Sequence, residues 1–218
     1  MVNRAIQWKE NKIISIQIKK DIFLLAQMLK IPYMIFFKYF RNENIWEDII
    51  IKEDDILFCH AITKQFLKYS SIEQIYSINC IDDYTPPNLW IVSGDFENKI
   101  IWKDTKFERI IISRSTLNSL LVDKDIINHQ NNTHRSGIFR KIIKELNNKD
   151  YELVKDYELT TLDIFPNLNE RLFLCYKFGK NVDPEKEIMF DQYLPIEYLT
   201  YVDIISGNYP LEDLGYKR

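Results

Sequence analysis

The chain has 218 residues, of which 46% are hydrophobic and 28% are charged, and its net charge is −3. This length supplies a sizeable core, and the composition excludes a disordered chain and a uniformly basic nucleic-acid binder. Only five glycines and three widely spaced cysteines are present, which excludes a glycine-rich phosphate loop and a disulfide framework. The first residues lack the apolar core of a signal peptide, so a cytoplasmic protein is expected.

The first predicted elements are strands of an antiparallel meander. In "KIISIQIK" the isoleucines alternate with polar residues, which is typical of a strand. The next segment, "IFLLAQML", is predicted as a second strand, although its leucine, alanine and glutamine residues also favour a helix. Lys30 and Pro32 interrupt this apolar run and exclude a membrane-spanning helix. After them, "YMIFFKYF" is apolar on both faces and predicts a central strand covered on both sides.

The middle of the chain continues the β pattern. "ILFCHAIT" predicts another strand, and "LWIVS", "KIIWK" and "FERIIIS" predict a three-stranded antiparallel unit over Leu89–Ser113. The polar stretch Asn128–Gly137 predicts a loop and a boundary. The predicted organisation is therefore a β-rich region, 1–127, and a more helical region, 128–218, packed into the same globular unit.

Helical signals dominate the predicted second region. Isoleucines and a leucine recur at helical spacing in "SGIFRKIIKELNN", and "PIEYLTYVDIISG" lies between Pro195 and Gly207, a common arrangement of helix boundaries. "NERLFLCYKFGK" is compatible with a helix or a strand. The fold class that follows is α+β: an antiparallel, strongly twisted sheet or partial barrel in the first half, packed with helices from the second half.

Residues capable of chemistry are sparse. Cys59 and His60 are neighbours on a predicted strand, so their side chains point to opposite faces, and we interpret them as a buried cysteine and a half-buried histidine. His129 and His134 lie in the polar loop, where loop polarity explains them as well as metal binding does. No catalytic motif is present, so we predict no catalytic residues, no metal site and no cofactor.

Charge is segregated along the chain. The net charge is −5 from Glu43 to Asp55, +6 from Lys99 to Lys149 and −7 from Asp183 to Asp213. Such segregation favours electrostatic steering towards an oppositely charged protein, although solvated faces produce the same pattern. An aromatic residue amid the acids of the first segment is typical of an interface anchor, although it is equally compatible with a core residue. The predicted partner-binding residues are Glu43, Trp46, Glu47, Asp48, Asp54 and Asp55.

The order of these blocks resembles the immunity protein 26 family of bacterial polymorphic toxin systems. The resemblance rests on "IQWKENKIISIQIKKDIFLLAQML", "PYMIFFKYF" and "DDILFCHAITKQFLK", followed by a proline-bearing loop that leads to "LWI". It covers Ile6 to Ser113, about half of the chain. The resemblance implies a cytoplasmic immunity protein that binds and neutralises a cognate toxin domain, as in contact-dependent growth inhibition, without catalytic residues of its own.

Two other functions remain open from the sequence. One is a metal-dependent hydrolase that uses an acid such as Asp54 or Asp82 with His60. The other is a nucleic-acid-binding module that uses the basic segment 99–149. Its candidate contacts are Lys103, Lys106, Arg109, Arg114, Arg140, Lys141 and Lys144.

Overall fold

The computed structural model describes residues 6–124 and 141–216. Contacts between Cα atoms divide the chain into two compact units. The first unit comprises Met1–Tyr84, Leu162–Val182 and Glu197–Arg218, and the second unit comprises Thr85–Thr161 and Asp183–Ile196. The predicted boundary at residues 127 and 128 lies outside the described residues, so the division into 1–127 and 128–218 stays a prediction.

The first unit contains a five-stranded antiparallel sheet with the strand order β4-β3-β2-β1-β5. Its strands are β1 (Ile13–Lys19), β2 (Ile22–Met28), β3 (Tyr33–Arg41), β4 (Ile56–Ala61) and β5 (Ser71–Gln74). The predicted meander is therefore confirmed, and "IFLLAQM" is a strand. Pairing of β2 with both β1 and β3 buries its apolar side chains, which outweighs their helix propensity.

Strand β3 lies between β2 and β4, as the sequence predicts for a strand covered on both sides. Residues from Tyr33 to Phe37 are buried on both faces. From Lys38 onwards the residues of the strand are exposed or half-buried. The connection from β3 to β4 begins at this exposed end.

The helices of the first unit come mainly from the second half of the chain. They are α1 (Lys64–Tyr69), α3 (Asn167–Phe178) and α5 (Leu199–Ser206), with a 3₁₀ helix at Glu53–Asp55. A further 3₁₀ helix, Ile196–Tyr198, spans the point where the chain passes from the second unit to the first. Helix α3 packs against β1 and α5. Gly179 and Gly207 follow α3 and α5 with φ of 64° and 67°, the left-handed conformation that ends many helices. The predicted helix between Pro195 and Gly207 is therefore confirmed.

The second unit contains a four-stranded sheet with the strand order β10-β9-β6-β11, in which only β6 and β11 are parallel. Its strands are β6 (Leu89–Val92), β9 (Leu120–Asp123), β10 (Lys141–Glu145) and β11 (Glu158–Leu159). Its helices are α2 (Tyr151–Val154) and α4 (Pro184–Met189), with a 3₁₀ helix at Asn148–Asp150. The core consists of Ile91, Leu121, Leu146, Val154, Leu159, Met189 and Phe190.

The predicted three-stranded unit over Leu89–Ser113 is wrong. Strands β7 (Phe96–Ile101) and β8 (Arg109–Arg114) form a separate two-stranded ribbon, whereas β6 pairs with β9 and β11. The chain turns away from β6 at Gly94, where an added Cβ would lie 1.9 Å from the carbonyl oxygen of Leu117. Only a residue without a side chain permits this approach, which separates β6 from β7.

The helix predicted over "SGIFRKIIKELNN" is also wrong where the structure describes it. Lys141–Glu145 forms β10, which pairs antiparallel with β9 and contains an irregularity between Ile142 and Lys144. Residues 136–140 lie outside the described part. The branched isoleucines favour a strand once β9 offers a partner, and helical spacing in the sequence does not reveal that partner.

The α+β fold class is confirmed, with strands concentrated in the first half and helices in the second. None of the three sheets of the described residues closes into a barrel. Among residues 6–124 and 141–216, no helix is both long and apolar enough to cross a bilayer.

Candidate protein-binding surface

The predicted partner-binding residues lie in the connection between β3 and β4 of the first unit. We call residues 43–55 the acidic segment. It extends from the exposed end of β3 to the 3₁₀ helix Glu53–Asp55, which leads directly into edge strand β4. Most of the segment has neither helical nor strand structure, so its position depends on side-chain contacts with the sheet.

The first half of the acidic segment is fixed around Trp46. This side chain is only 3% exposed. Its indole Nε1 donates to Oδ1 of Asn44 at 2.6 Å, and its carbonyl oxygen accepts from Oγ of Ser77 at 3.1 Å. The Arg41 guanidinium lies 5.5 Å from the indole ring and donates to the carbonyl oxygen of Ile45 at 2.6 Å. The indole is therefore not part of the exposed surface and does not act as an interface anchor. It holds the acidic segment in place.

The second half is fixed by Tyr39 and Asp55. The Tyr39 hydroxyl donates to Oδ2 of Asp55 at 2.8 Å, and the same carboxylate oxygen accepts from the backbone N–H of Lys52 at 2.9 Å. Burial, the hydrogen bond to Asp55 and the charge of that carboxylate all raise the pKa of Tyr39. Lys38 Nζ donates to the carbonyl oxygen of Asp54 at 2.9 Å. Asp55 is therefore a structural residue of the connection, only partly exposed.

The remaining acids point to solvent. The exposed acidic residues of the segment are Glu43, Glu47, Asp48, Glu53 and Asp54. Between them lie Ile45 and Ile50, which are 50% and 78% exposed. Sequence reasoning missed these two isoleucines, although their exposure follows from a connection whose single buried anchor is Trp46. The surface therefore combines negative charge with aliphatic side chains, a composition suited to contact with a protein.

An open depression of about 580 Å³ adjoins the start of the acidic segment. Its lining residues are Phe40, Arg41, Asn42, Glu43, Ile45 and Tyr176. The ring of Tyr176, on α3, lies 5.5 Å from that of Phe40, and its residue is 39% exposed. The aromatic side chain that this surface offers is thus Tyr176, which is more than 120 residues away in sequence from the acids and gave no local signal.

The other candidate sites of the sequence are dispersed. His60 is 1% exposed, more deeply buried than predicted, and its Nε2 lies 3.5 Å from Oδ2 of Asp163. The hydrolase hypothesis paired His60 with Asp54 or Asp82, but Asp54 lies exposed in the acidic segment and Asp82 accepts a hydrogen bond from the Cys80 thiol. The buried His60–Asp163 pair joins β4 to the residues before α3, which suits a structural role.

The basic residues of the segment 99–149 are only partly available as an exposed surface in its described parts, 99–124 and 141–149. Lys99 is buried and lies 2.5 Å from Asp191 and 3.0 Å from Glu97, and Lys144 pairs with Asp150. Arg140 lies outside the described residues, as do His129 and His134. The segment Asp183–Asp213 is likewise only partly exposed, because Asp183 and Asp203 are buried. In the described ranges, no group of three or more His, Cys, Asp or Glu side chains is placed to hold a metal ion.

No curated protein and no solved structure matches this chain significantly. The resemblance to the immunity protein 26 family consequently stays a prediction. A family model described as "Domain of unknown function (DUF8309)" matches residues 2–194, which is most of the chain, and the protein therefore belongs to the DUF8309 family.

Proposed function

We propose that this chain is an immunity protein of the cytoplasm, which binds a cognate bacterial toxin domain and neutralises it by non-covalent occlusion. The observation that carries this proposal is the acidic segment: five exposed acids and two exposed isoleucines on a connection that partly buried hydrogen bonds hold in place. The resemblance in the first half of the chain supports the same function.

The geometry favours binding because the acidic segment is ordered before the partner arrives. The bonds of Trp46 and Asp55 fix both halves of the connection, so little conformational entropy is lost on association. Exposed acids speed the encounter with a basic protein, whereas Ile45 and Ile50 provide apolar surface that becomes buried in the complex.

The expected partner is a toxin domain with a basic active-site surface. Nuclease toxins carry lysine and arginine residues where they bind the phosphates of nucleic acid. In the proposed complex the exposed carboxylates bind the basic residues that would otherwise contact substrate phosphates, and the bulk of the first unit blocks access. Inhibition of this kind requires no chemistry from the inhibitor.

The test uses the product of the gene immediately upstream of this chain's gene, where the proposal expects a toxin domain, with a charge-reversal variant Glu43→Lys/Glu47→Lys/Asp54→Lys. These residues are exposed, and the variant spares Asp55 and Trp46, which hold the connection. The control Glu10→Lys/Glu212→Lys/Asp213→Lys makes the same change in net charge at exposed positions elsewhere in the first unit.

The readouts are the association rate at low and high salt and the rescue of cells that express the toxin domain. The reversal is expected to slow association at low salt by about tenfold or more and to abolish rescue, whereas the control retains both. Equal association rates and equal rescue for the two variants would exclude the acidic segment as the binding surface. Failure of the wild-type chain to bind or rescue would refute the immunity function itself.

A further inference from the structure

The β7–β8 ribbon of the second unit has an apolar face that nothing in the described structure covers. The register pairs Ile100 with Ile110, Asn98 with Ile112 and Phe96 with Arg114, so these six side chains share one face. Phe96, Ile100, Ile110 and Ile112 are 61%, 51%, 64% and 70% exposed. A two-stranded ribbon with four large apolar residues on its solvent side is unusual in a monomer.

The opposite face of the ribbon is firmly held. Ile111 is 2% exposed and Lys99 is 7% exposed. Lys99 Nζ lies 2.5 Å from Oδ1 of Asp191 and donates to the carbonyl oxygen of Met189 at 3.3 Å. At the end of β7, the Trp102 indole donates to the carbonyl oxygen of Leu194 at 2.8 Å. The apolar face is therefore presented on a fixed support.

The charges around this face argue against a partner that has a large net charge of either sign. Glu97 and Lys99 lie on the opposite face, and the rest of the stretch from Asp95 to Arg114 carries four basic and three acidic residues. A membrane surface or a nucleic acid requires an excess of cations, and the basic partner expected at the acidic segment requires an excess of anions. A rim that carries both signs in nearly equal number is compatible with a second copy of itself.

We infer that the apolar face of the β7–β8 ribbon is the interface of a two-fold symmetric homodimer. A two-fold axis parallel to the strands places β7 of one copy over β8 of the second, so that Ile100 meets Ile110 and Phe96 meets Arg114. Within one copy the Arg114 guanidinium already lies 3.7 Å from the centre of the Phe96 ring, so the contact between copies repeats a favourable pairing.

The available area fits such a dimer. A fully exposed large side chain offers roughly 200 Å², so the four apolar residues leave on the order of 500 Å² per copy accessible. A standard interface buries about 800 Å² per partner. The face therefore supplies more than half of the required area, and Asn98, Arg114 and the β7–β8 connection supply the rest.

The test is sedimentation equilibrium of the full chain from about 1 to 100 μM, because interfaces of standard area have dissociation constants from about μM to pM. The wild type is expected at twice its 26.3 kDa mass. Ile110→Thr/Ile112→Thr keeps the branched residues that strands prefer and removes apolar surface, and it is expected to weaken dimerisation about 100-fold. Asn98→Lys, which places a charge at the centre of the face, is expected to act likewise. The control Ile31→Thr/Ile50→Thr alters two isoleucines of the first unit that are 50% and 78% exposed, and it should remain dimeric.

A wild-type chain that is monomeric throughout this range overturns the inference. So does a dimer that survives both ribbon variants with their circular dichroism unchanged, since the interface then lies elsewhere. Either result leaves the proposed toxin binding untouched, because that function depends on the acidic segment.

Discussion

Tyr216 anchors the end of the described chain, and its hydroxyl provides a sharp test of the first unit. This residue is 4% exposed, and its hydroxyl donates to Oε2 of Glu170 on α3. The same oxygen lies 2.8 Å from Nζ of Lys19, at the end of β1. The Lys19 ammonium is also 3.9 Å from the centre of the Tyr216 ring, and the ring packs edge-on against Phe165 at 5.8 Å. Three segments distant in sequence therefore meet at one carboxylate.

The substitution Tyr216→Phe removes one donor from a buried carboxylate and keeps the ring. A hydrogen bond to a charged group contributes about 1.5–3 kcal/mol. Because Lys19 still compensates the Glu170 charge, we expect a loss of about 2 kcal/mol in the free energy of unfolding. With a urea m-value of about 2 kcal/mol/M, the midpoint of unfolding falls by about 1 M.

The assay is urea unfolding followed by far-UV circular dichroism, with Tyr76→Phe as the control because Tyr76 is 85% exposed in the same unit. The control is expected to shift the midpoint by less than about 0.2 M. A Tyr216→Phe midpoint as close to wild type as that of the control would refute the reasoning. In a double-mutant cycle with Lys19→Met, the effects should be non-additive by about 1 kcal/mol, because both donors share the Glu170 oxygen.

Two further predictions concern the sheet of the first unit and the turn after β6. Burial, followed by the charge of Cys59, raises the pKa of Tyr33 from 10.0 to about 12. The contribution of the neutral Tyr33 phenol to the free energy of unfolding is therefore complete below pH 10 and is lost as the pH rises towards 12. Unfolding stability measured from pH 9 to 12 should fall for the wild type, and Tyr33→Phe should reduce this fall by about 2 kcal/mol, because other tyrosines such as Tyr39 contribute the remainder; an unchanged fall in that variant would contradict the assignment. Gly94→Ala should destabilise the second unit by about 3 kcal/mol or more, because its Cβ would lie 1.9 Å from the Leu117 carbonyl oxygen. Thermal unfolding compared with the neighbouring Ser93→Ala, expected to change little, measures this effect, and equal melting temperatures would disprove the close packing.

The local parts of the fold were predictable from sequence. Alternation in "KIISIQIK" and the doubly apolar "YMIFFKYF" specified strands because burial on one or both faces sets the pattern within a few residues. Gly207 also predicted a helix end from local sequence, because the left-handed conformation after a helix favours glycine. Strand pairing in the second unit was not predictable. Partners such as β6 and β11 are more than 60 residues apart, and their apolar residues fit several registers equally well.

The candidate surface shows the same division between local and distant information. The sequence showed the acids as a cluster because all six lie within residues 43–55, and the structure exposes five of them. The burial of Trp46 depends on Asn44 and Ser77, and the neighbourhood of Tyr176 depends on the packing of α3. The prediction therefore included the exposed acids, but it named Trp46, which is buried, and missed Tyr176, which is partly exposed. Ile45 and Ile50 were missed because isoleucine in sequence predicts burial.

The cations beside the acidic segment determine how its charge acts at different distances. Lys38 and Arg41 precede the segment and bind the carbonyl oxygens of Asp54 and Ile45, so both are held close to the acids. Over residues 38–55 the net charge is −3, compared with −5 over residues 43–55. Beyond a Debye length of about 8 Å a partner experiences the smaller value, so steering is weaker than the segment alone suggests.

When a partner protein is in contact with the acidic segment, the balance between its acids and the neighbouring cations changes. Arg41 is committed to the Ile45 carbonyl oxygen and to the Trp46 ring, so a docked protein meets the exposed acids and isoleucines more directly than it meets this cation. Affinity should therefore depend on Ile45 and Ile50 as much as on the acids, because apolar burial is insensitive to salt, whereas exposed charge pairs are screened. A complex held in this way associates at a salt-dependent rate and dissociates at a rate that salt changes little.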